Sequence, residues 1–73
     1  METAKVQRLI EQWLHENHAP AARRDVLEKV MVVGKASQPY VNTITRYIAD
    51  RTMQRPAKGD IKMACRAILD TLT

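Results

Sequence analysis

The sequence predicts an all-α protein, a compact bundle of four helices formed by residues 1–73 as a single domain. Apolar residues recur at spacings of three and four in four separate segments, which is the pattern of amphipathic helices. The few glycines and prolines fall between these segments, where they interrupt helices. Strand signals, such as alternating β-branched residues or an Asn-Gly turn, are absent from the sequence. One domain is expected because a chain this short encloses only one modest core.

The first predicted helix has one apolar face and one polar face. Its apolar residues follow the spacing of a single helical face and are Val6, Leu9, Ile10, Trp13 and Leu14. Thr3 is the expected N-cap of this helix. The polar run HENHAP, residues 15–20, is expected to end it.

The second predicted helix begins near Pro20, which suits a first helical turn because an N–H there would have no partner within the helix. Its apolar stripe consists of Val26, Leu27, Val30 and Met31. Val32 and Val33 are expected to form the tail of this helix, although a valine pair also occurs in strands. Gly34 is expected to adopt the left-handed conformation that ends it.

The third predicted helix has Ser37 as its N-cap and Pro39 in its first turn. Its buried face is expected to consist of Tyr40, Val41, Ile44, Tyr47 and Ile48. The opposite face is polar and is therefore available for binding.

A break at residues 53–59, MQRPAKG, separates the third helix from the fourth. Arg55 precedes a proline and is pushed away from helical dihedral angles, while Gly59 permits a turn. Asp60 is the expected N-cap of the fourth helix. The apolar stripe of this helix is wide and consists of Ile61, Ala64, Cys65, Ile68, Leu69 and Leu72.

The basic side chains are distributed unevenly along the chain. Residues 1–33 carry five basic and five acidic side chains, so the whole net charge of +4 lies in residues 34–73. A basic half of this kind indicates a polyanionic partner such as nucleic acid. The same distribution of charge would also arise if the basic residues served only to keep the protein soluble and bound no partner.

The segment at residues 23–50 combines an apolar helix, a turn opened by Gly34, a hydroxyl cap at Ser37, and a second helix whose Val41, Ile44 and Ile48 can pack back on the first. It resembles the helix-turn-helix of small DNA-binding regulators of bacteria, phages and plasmids. The resemblance implies that the bundle contains a helix-turn-helix whose second helix enters the DNA major groove. It also implies that the protein is a small transcriptional regulator.

The polar face of the third helix supplies residue types that read base edges, since Asn and Gln can bind adenine and Arg can bind guanine. The candidate base-reading residues are Gln38, Asn42, Thr43, Thr45 and Arg46. The candidate phosphate contacts flank this helix and are Lys35, Ser37, Arg51, Arg55, Lys58 and Lys62. A polar outward face is also typical of any surface helix, so the charge asymmetry is what favours DNA.

We expect no enzymatic activity, metal or cofactor. The sequence has no nucleophile motif and no glycine-rich phosphate loop, and its acidic residues are scattered. His15 and His18 could share a helical face, but surface histidines at a helix end are far commoner than metal ligands. Cys65, the only cysteine, is expected to be a small buried residue.

A cytoplasmic protein is expected, because no apolar run is long enough to span a membrane and the N-terminal segment does not have the pattern of a signal peptide. A homodimer on a palindromic DNA site is also expected, with the fourth helix as its first candidate surface and the first helix as its second. The rival interpretation is a protein-interaction adaptor that docks an acidic partner without nucleic acid. Non-specific RNA binding would need exposed aromatic residues, and both tyrosines fall on the apolar side.

Overall fold

The computed structural model describes residues 2–32 and 34–72, apart from the side chain of Lys35. Within these residues the chain forms α-helices and no strand. The helices are α1 (Thr3–Asn17), α2 (Pro20–Met31), α3 (Gln38–Thr52) and α4 (Lys58–Thr71), and a 3-10 turn at Lys35–Ser37 precedes α3. The prediction of an all-α bundle with four helices is therefore confirmed for the described part of the chain.

The core is built from the predicted apolar stripes. All four helices contribute buried side chains, which are Val6, Ile10, Trp13, Leu14, Val26, Leu27, Val30, Val41, Ile44, Ile48, Ile61, Ala64, Cys65 and Ile68. Leu9, Met31, Tyr40, Tyr47 and Leu69 pack against this core while remaining partly exposed. Leu72 departs from the prediction, because it lies just after the end of α4 and 49% of it is exposed.

α4 packs chiefly against α1 and α2 and makes fewer contacts with α3. Its apolar stripe therefore serves the core of its own chain, where Ile61, Ala64, Cys65 and Ile68 are buried. Buried residues cannot also form a surface for a second copy, so these four do not supply a dimer interface, and the homodimer stays a prediction. The same holds for α1, whose Val6, Ile10, Trp13 and Leu14 are buried.

Three of the predicted helix starts differ in detail. Thr3 is the first residue of α1, with Glu2 as its N-cap, and Asp60 is the third residue of α4, with Ala57 as its N-cap. A carboxylate in the first turn still suits the positive end of the helix dipole. Ser37 is the N-cap of α3 as predicted, but its side chain makes no capping hydrogen bond.

The end of α2 also differs from the prediction. The helix stops at Met31, and Val32 has extended backbone angles and is half exposed, so it is not part of a helical tail. Val33 lies outside the described residues. Gly34 follows with a φ of +122°, which only glycine adopts readily. The connection from Met31 to Gln38 is longer than the turn of roughly three to four residues that joins the helices of a tight helix-turn-helix. The helix-turn-helix therefore stays a prediction.

Residues 53–57 form the loop that positions the candidate site. Met53 ends α3 in the left-handed conformation, with φ 58°, and its amide donates a 2.9 Å hydrogen bond to the carbonyl of Ala49. Pro56 is buried, which anchors the middle of the loop to the body of the protein. The Lys58 Nζ atom then lies 3.5 Å from Oε1 of Gln38. The loop therefore returns along α3 and brings the start of α4 beside the start of α3.

Candidate nucleic-acid interface

Three exposed side chains at intervals of four residues form a polar row along α3: Gln38, Asn42 and Arg46. The Gln38 amide nitrogen donates a 2.8 Å hydrogen bond to Oδ1 of Asn42. On its other side, Oε1 of Gln38 accepts the hydrogen bond from Lys58. These bonds hold the first part of the row in place and connect it to the first residue of α4.

A polar groove of about 380 Å³ lies between α3 and the loop at residues 53–57. We call it the α3 groove, and its lining residues are Asn42, Thr45, Arg46, Ala49 and Arg55. Arg46 comes from the helix and Arg55 from the loop, and none of the five lining residues is acidic. Neither arginine forms an ion pair within the described residues. The α3 groove is therefore a positively charged concave surface with an amide beside its two guanidinium groups.

Thr45 does not fit its predicted role in base reading. Only 8% of the residue is exposed, and its hydroxyl donates a 2.7 Å hydrogen bond to the carbonyl of Val41. Thr45 lies between Val41 and Ile48 on the buried face of α3, which accounts for this burial. Thr43 is exposed, but it does not line the α3 groove and its hydroxyl donates to the carbonyl of Pro39 at 2.9 Å. The structure therefore groups Asn42 and Arg46 in the groove, with Gln38 adjoining them.

Ser37 does not fit its predicted role as a phosphate contact. The residue is completely buried, and its hydroxyl donates a 2.9 Å hydrogen bond to the carbonyl of Gly34. The short side chain turns inward to satisfy the turn before α3. A phosphate cannot reach that hydroxyl while the turn is intact.

Arg51 is held on a different side of α3. Its guanidinium carbon lies 3.3 Å from the centre of the Tyr47 ring, and Nη1 donates to the Tyr47 carbonyl at 3.2 Å. The Tyr47 hydroxyl in turn donates a 3.0 Å hydrogen bond to Glu16 of α1. Burial and, after it, the hydrogen bond to Glu16 raise the pKa of Tyr47. This cluster faces α1 and does not include the α3 groove.

The remaining predicted phosphate contacts are also separated by the fold. Arg55 lines the α3 groove and Lys58 adjoins it through Gln38. Lys62 instead lines a shallow surface shared with Met31 and Arg66, on the side of α4 that faces α2. The Lys35 side chain lies outside the described residues. Of the predicted phosphate contacts, Arg55 and Lys58 are therefore the two that the described structure brings to the groove.

The lining of the α3 groove includes no cysteine, histidine or carboxylate. Cys65 is fully buried, and burial raises the pKa of its thiol to about 12. The described residues contain no group of three or more His, Cys, Asp or Glu side chains that could hold a metal ion. Among the described helices, none combines the length and the apolar character needed to cross a membrane.

Sequence reasoning missed the pairing of Arg46 with Arg55 across one groove, although each was a candidate alone. The signal in the sequence that could have indicated it was Pro56, an apolar residue able to hold the loop, and with it the neighbouring Arg55, against the body of the protein. Comparison of the chain with protein families, with curated proteins and with solved structures gives no match. The function is therefore inferred from the residues of this chain.

Proposed function

We propose that this protein binds double-stranded DNA with sequence preference through the α3 groove and acts as a small transcriptional regulator. The observation that carries the proposal is the pairing of Arg46 and Arg55 on the two sides of one groove that has no acidic lining residue. Two unpaired guanidinium groups at one concave surface favour a polyanion, because phosphate neutralisation dominates nucleic-acid affinity.

Asn42 and Arg46 are the proposed base-reading residues. The Asn42 oxygen accepts one hydrogen bond from Gln38, and an amide oxygen has a second lone pair for a base amino group. The nitrogen of the Asn42 amide can donate to the adjacent ring nitrogen of the base, as in the bidentate recognition of adenine. Arg46 lies one helical turn further along and has the donor geometry to bind guanine.

Arg55 and Lys58 are the proposed phosphate contacts. They flank the polar row from the loop and from the start of α4, so they would meet the DNA backbone when α3 approaches a groove. Contacts of this kind set the register and the affinity of the complex and carry little sequence information. They also make binding sensitive to salt.

Sequence preference through one helix covers a short site, so a symmetric dimer on a palindromic site remains part of the proposal. Two exposed apolar side chains support a surface for it: 60% of Met63 on α4 is exposed, and 50% of Val32, just after the end of α2, is exposed. Met31 and Ala67 adjoin Met63 on the same side of α4. The dimer would therefore use the outer surface of α4 and the end of α2, and not the stripe that fills the core.

The alternative function is an adaptor that docks an acidic protein. The observation that favours it is this same exposed surface, because Lys62 and Arg66 flank Met63 there. An acidic amphipathic helix is the kind of partner that would match it. The two functions use different sides of the molecule, so they can be distinguished by mutation.

The test is the binding of a labelled random-sequence duplex, followed by fluorescence anisotropy across a salt series. Arg55→Ala should weaken binding and lower the slope of log affinity against log salt by about 0.9. Arg46→Ala should weaken binding to a selected DNA sequence by about 5- to 150-fold, equivalent to 1–3 kcal/mol, and should relax its preference. The matched control is Arg8→Ala, which removes the same charge from an exposed arginine of α1 that lines neither the α3 groove nor the surface proposed for the dimer.

If the control variant weakens binding as much as Arg46→Ala does, binding depends only on the net charge of the protein, and the proposed groove is contradicted. Absence of binding at low salt would overturn DNA binding altogether. Capture of an acidic helical peptide that depends on Met63 and Arg66, and not on Arg46, would then support the adaptor function.

A further inference from the structure

A second groove lies on the other side of the bundle, between α1, the start of α2 and the end of α4. Its volume is about 490 Å³, which lies within the range of small-molecule sites. Its apolar part is formed by Leu14, Ile68 and Leu72. Its basic part is formed by Arg8 and Arg23. We call it the α1–α4 groove.

Arg23 is the best-placed group in the α1–α4 groove for recognising an anion. Its Nη2 atom lies 3.1 Å from Nδ1 of His15, and because a guanidinium group can only donate, this contact orients it toward the ring nitrogen. The Nε atom of Arg23 is buried and has no hydrogen-bond partner among the described residues. An unpaired N–H of a charged group in a buried position is costly, so the charge of Arg23 is incompletely satisfied by its own chain.

The neighbouring arginine provides a contrast within the same helix. Arg24 forms an ion pair with Glu28 at 3.2 Å and does not line the α1–α4 groove. Arg23 forms no ion pair in the described structure, although Glu11 lines the same groove. Glu11 instead accepts a hydrogen bond from Gln7 at 3.4 Å. Two adjacent arginines therefore have different surroundings, and one of them lacks an anionic partner.

We propose that the α1–α4 groove binds a small amphipathic carboxylate. The carboxylate group binds the Arg23 guanidinium with Arg8 at the rim, and the apolar body of the ligand covers Leu14, Ile68 and Leu72. The fork of an arginine matches the two oxygens of a carboxylate, and the apolar floor strengthens that interaction by lowering the local dielectric constant. This site is separate from the α3 groove and does not depend on DNA binding.

The experiment titrates the ¹⁵N-labelled protein with three probes and follows the amide signals by NMR. Octanoate has the charge and the apolar chain, octanol has the chain alone, and acetate has the charge alone. Octanoate should bind and shift the amide signals of Leu14, Ile68 and Leu72, while octanol and acetate should bind at least about tenfold more weakly. Equal binding of octanol and octanoate would overturn the proposal, because it would show adsorption to an apolar surface without recognition of the carboxylate.

Three variants test the residues. Arg23→Gln should weaken octanoate binding by about tenfold or more, the effect of losing a hydrogen bond to a charged group. Arg24→Gln removes the same charge from the adjacent position and should leave the affinity unchanged. Glu11→Gln should strengthen binding, because it removes the carboxylate that competes with the ligand for the same groove.

Equal losses in Arg23→Gln and Arg24→Gln would overturn the assignment to Arg23. The exposed Glu11 position keeps the test valid even if Arg23→Gln disturbs the fold, since unchanged or weaker binding in Glu11→Gln also contradicts the proposed site. If the same amide signals shift with protein concentration in the absence of any probe, a second copy of the chain occupies the groove and the carboxylate site is overturned.

Discussion

The two grooves of this small protein each contain two arginines, but their surroundings differ. In the α3 groove, Arg46 and Arg55 border a polar surface with no acidic lining residue. In the α1–α4 groove, Arg8 and Arg23 border side chains of the core, and Glu11 is also present. A guanidinium group on a polar, unopposed surface favours a long polyanion, whereas one beside an apolar floor favours a ligand with both a charge and an apolar part.

The largest expected difference between the grooves is in stability. Leu14 lines the α1–α4 groove and is also a core residue with 2% of its surface exposed. Leu14→Ala should lower the free energy of unfolding by about 2–5 kcal/mol, because it leaves a cavity in the core. Asn42→Ala, on the exposed floor of the α3 groove, should change it by no more than about 0.5 kcal/mol. Urea unfolding measures the free energy of unfolding of both variants. Similar losses in Leu14→Ala and Asn42→Ala would contradict the difference between a groove backed by the core and an exposed polar groove.

A second experiment measures how well the core, to which Leu14 and Ile68 of the α1–α4 groove belong, excludes water, using the buried Cys65 thiol. Burial raises its pKa to about 12 from an ordinary value of 9.0. Because the folded-state value is raised, the stabilising effect of the neutral thiol is fully present below pH 9 and is lost as the pH rises toward 12. Relative to Cys65→Ala, the wild-type free energy of unfolding should fall by about 1.4 kcal/mol per pH unit in this range.

Unfolding in urea at several pH values between 9 and 11 gives this difference. The comparison uses the change with pH and not the absolute stability, since Cys65→Ala also leaves a small cavity. Parallel pH profiles for the two proteins would contradict a water-free environment for the thiol.

A third experiment makes the α3 groove resemble the α1–α4 groove by adding a carboxylate. Ala49 lines the α3 groove on the turn after Arg46, so Ala49→Glu places a negative charge beside both arginines. DNA affinity should fall by about tenfold or more, because the new charge pairs with the arginines and repels phosphate. Ala49→Gln has a similar size without the charge and should bind far better, as measured by anisotropy. Equal losses in the two variants would attribute the effect to steric hindrance.

The smallest expected effect concerns Thr45, at the buried edge of the α3 groove. Thr45→Val keeps the shape of the side chain and removes the hydroxyl that donates to Val41. The free energy of unfolding should change by about 1 kcal/mol or less, the net value of one such hydrogen bond. DNA affinity should stay unchanged because the hydroxyl has no access to a ligand. A clear loss of sequence preference in this variant would restore Thr45 as a base-reading residue.

The fold class and most of the core can be predicted from the sequence. Helical periodicity is a local property, so the spacing of residues such as Val6 and Ile10, or Ile61 and Cys65, was enough to predict buried faces. The positions of helix ends were less well predicted. Thr3 and Asp60 are ordinary capping types, but they are the first and third residues of their helices, because capping chemistry alone does not choose among neighbouring residues at which a helix can begin.

Tertiary structure alone decided which basic residues share a surface. Arg46 and Arg55 meet because the loop, with Pro56 buried, returns along α3. Arg23 meets His15 because the short link at residues 18–19 places the start of α2 beside the end of α1. Tertiary structure also placed the Ser37 and Thr45 hydroxyls among buried backbone, which their polar character in the sequence did not indicate. A pattern in the sequence shows which residues lie on one face of a helix. Which faces form a groove together depends on how the helices and loops pack.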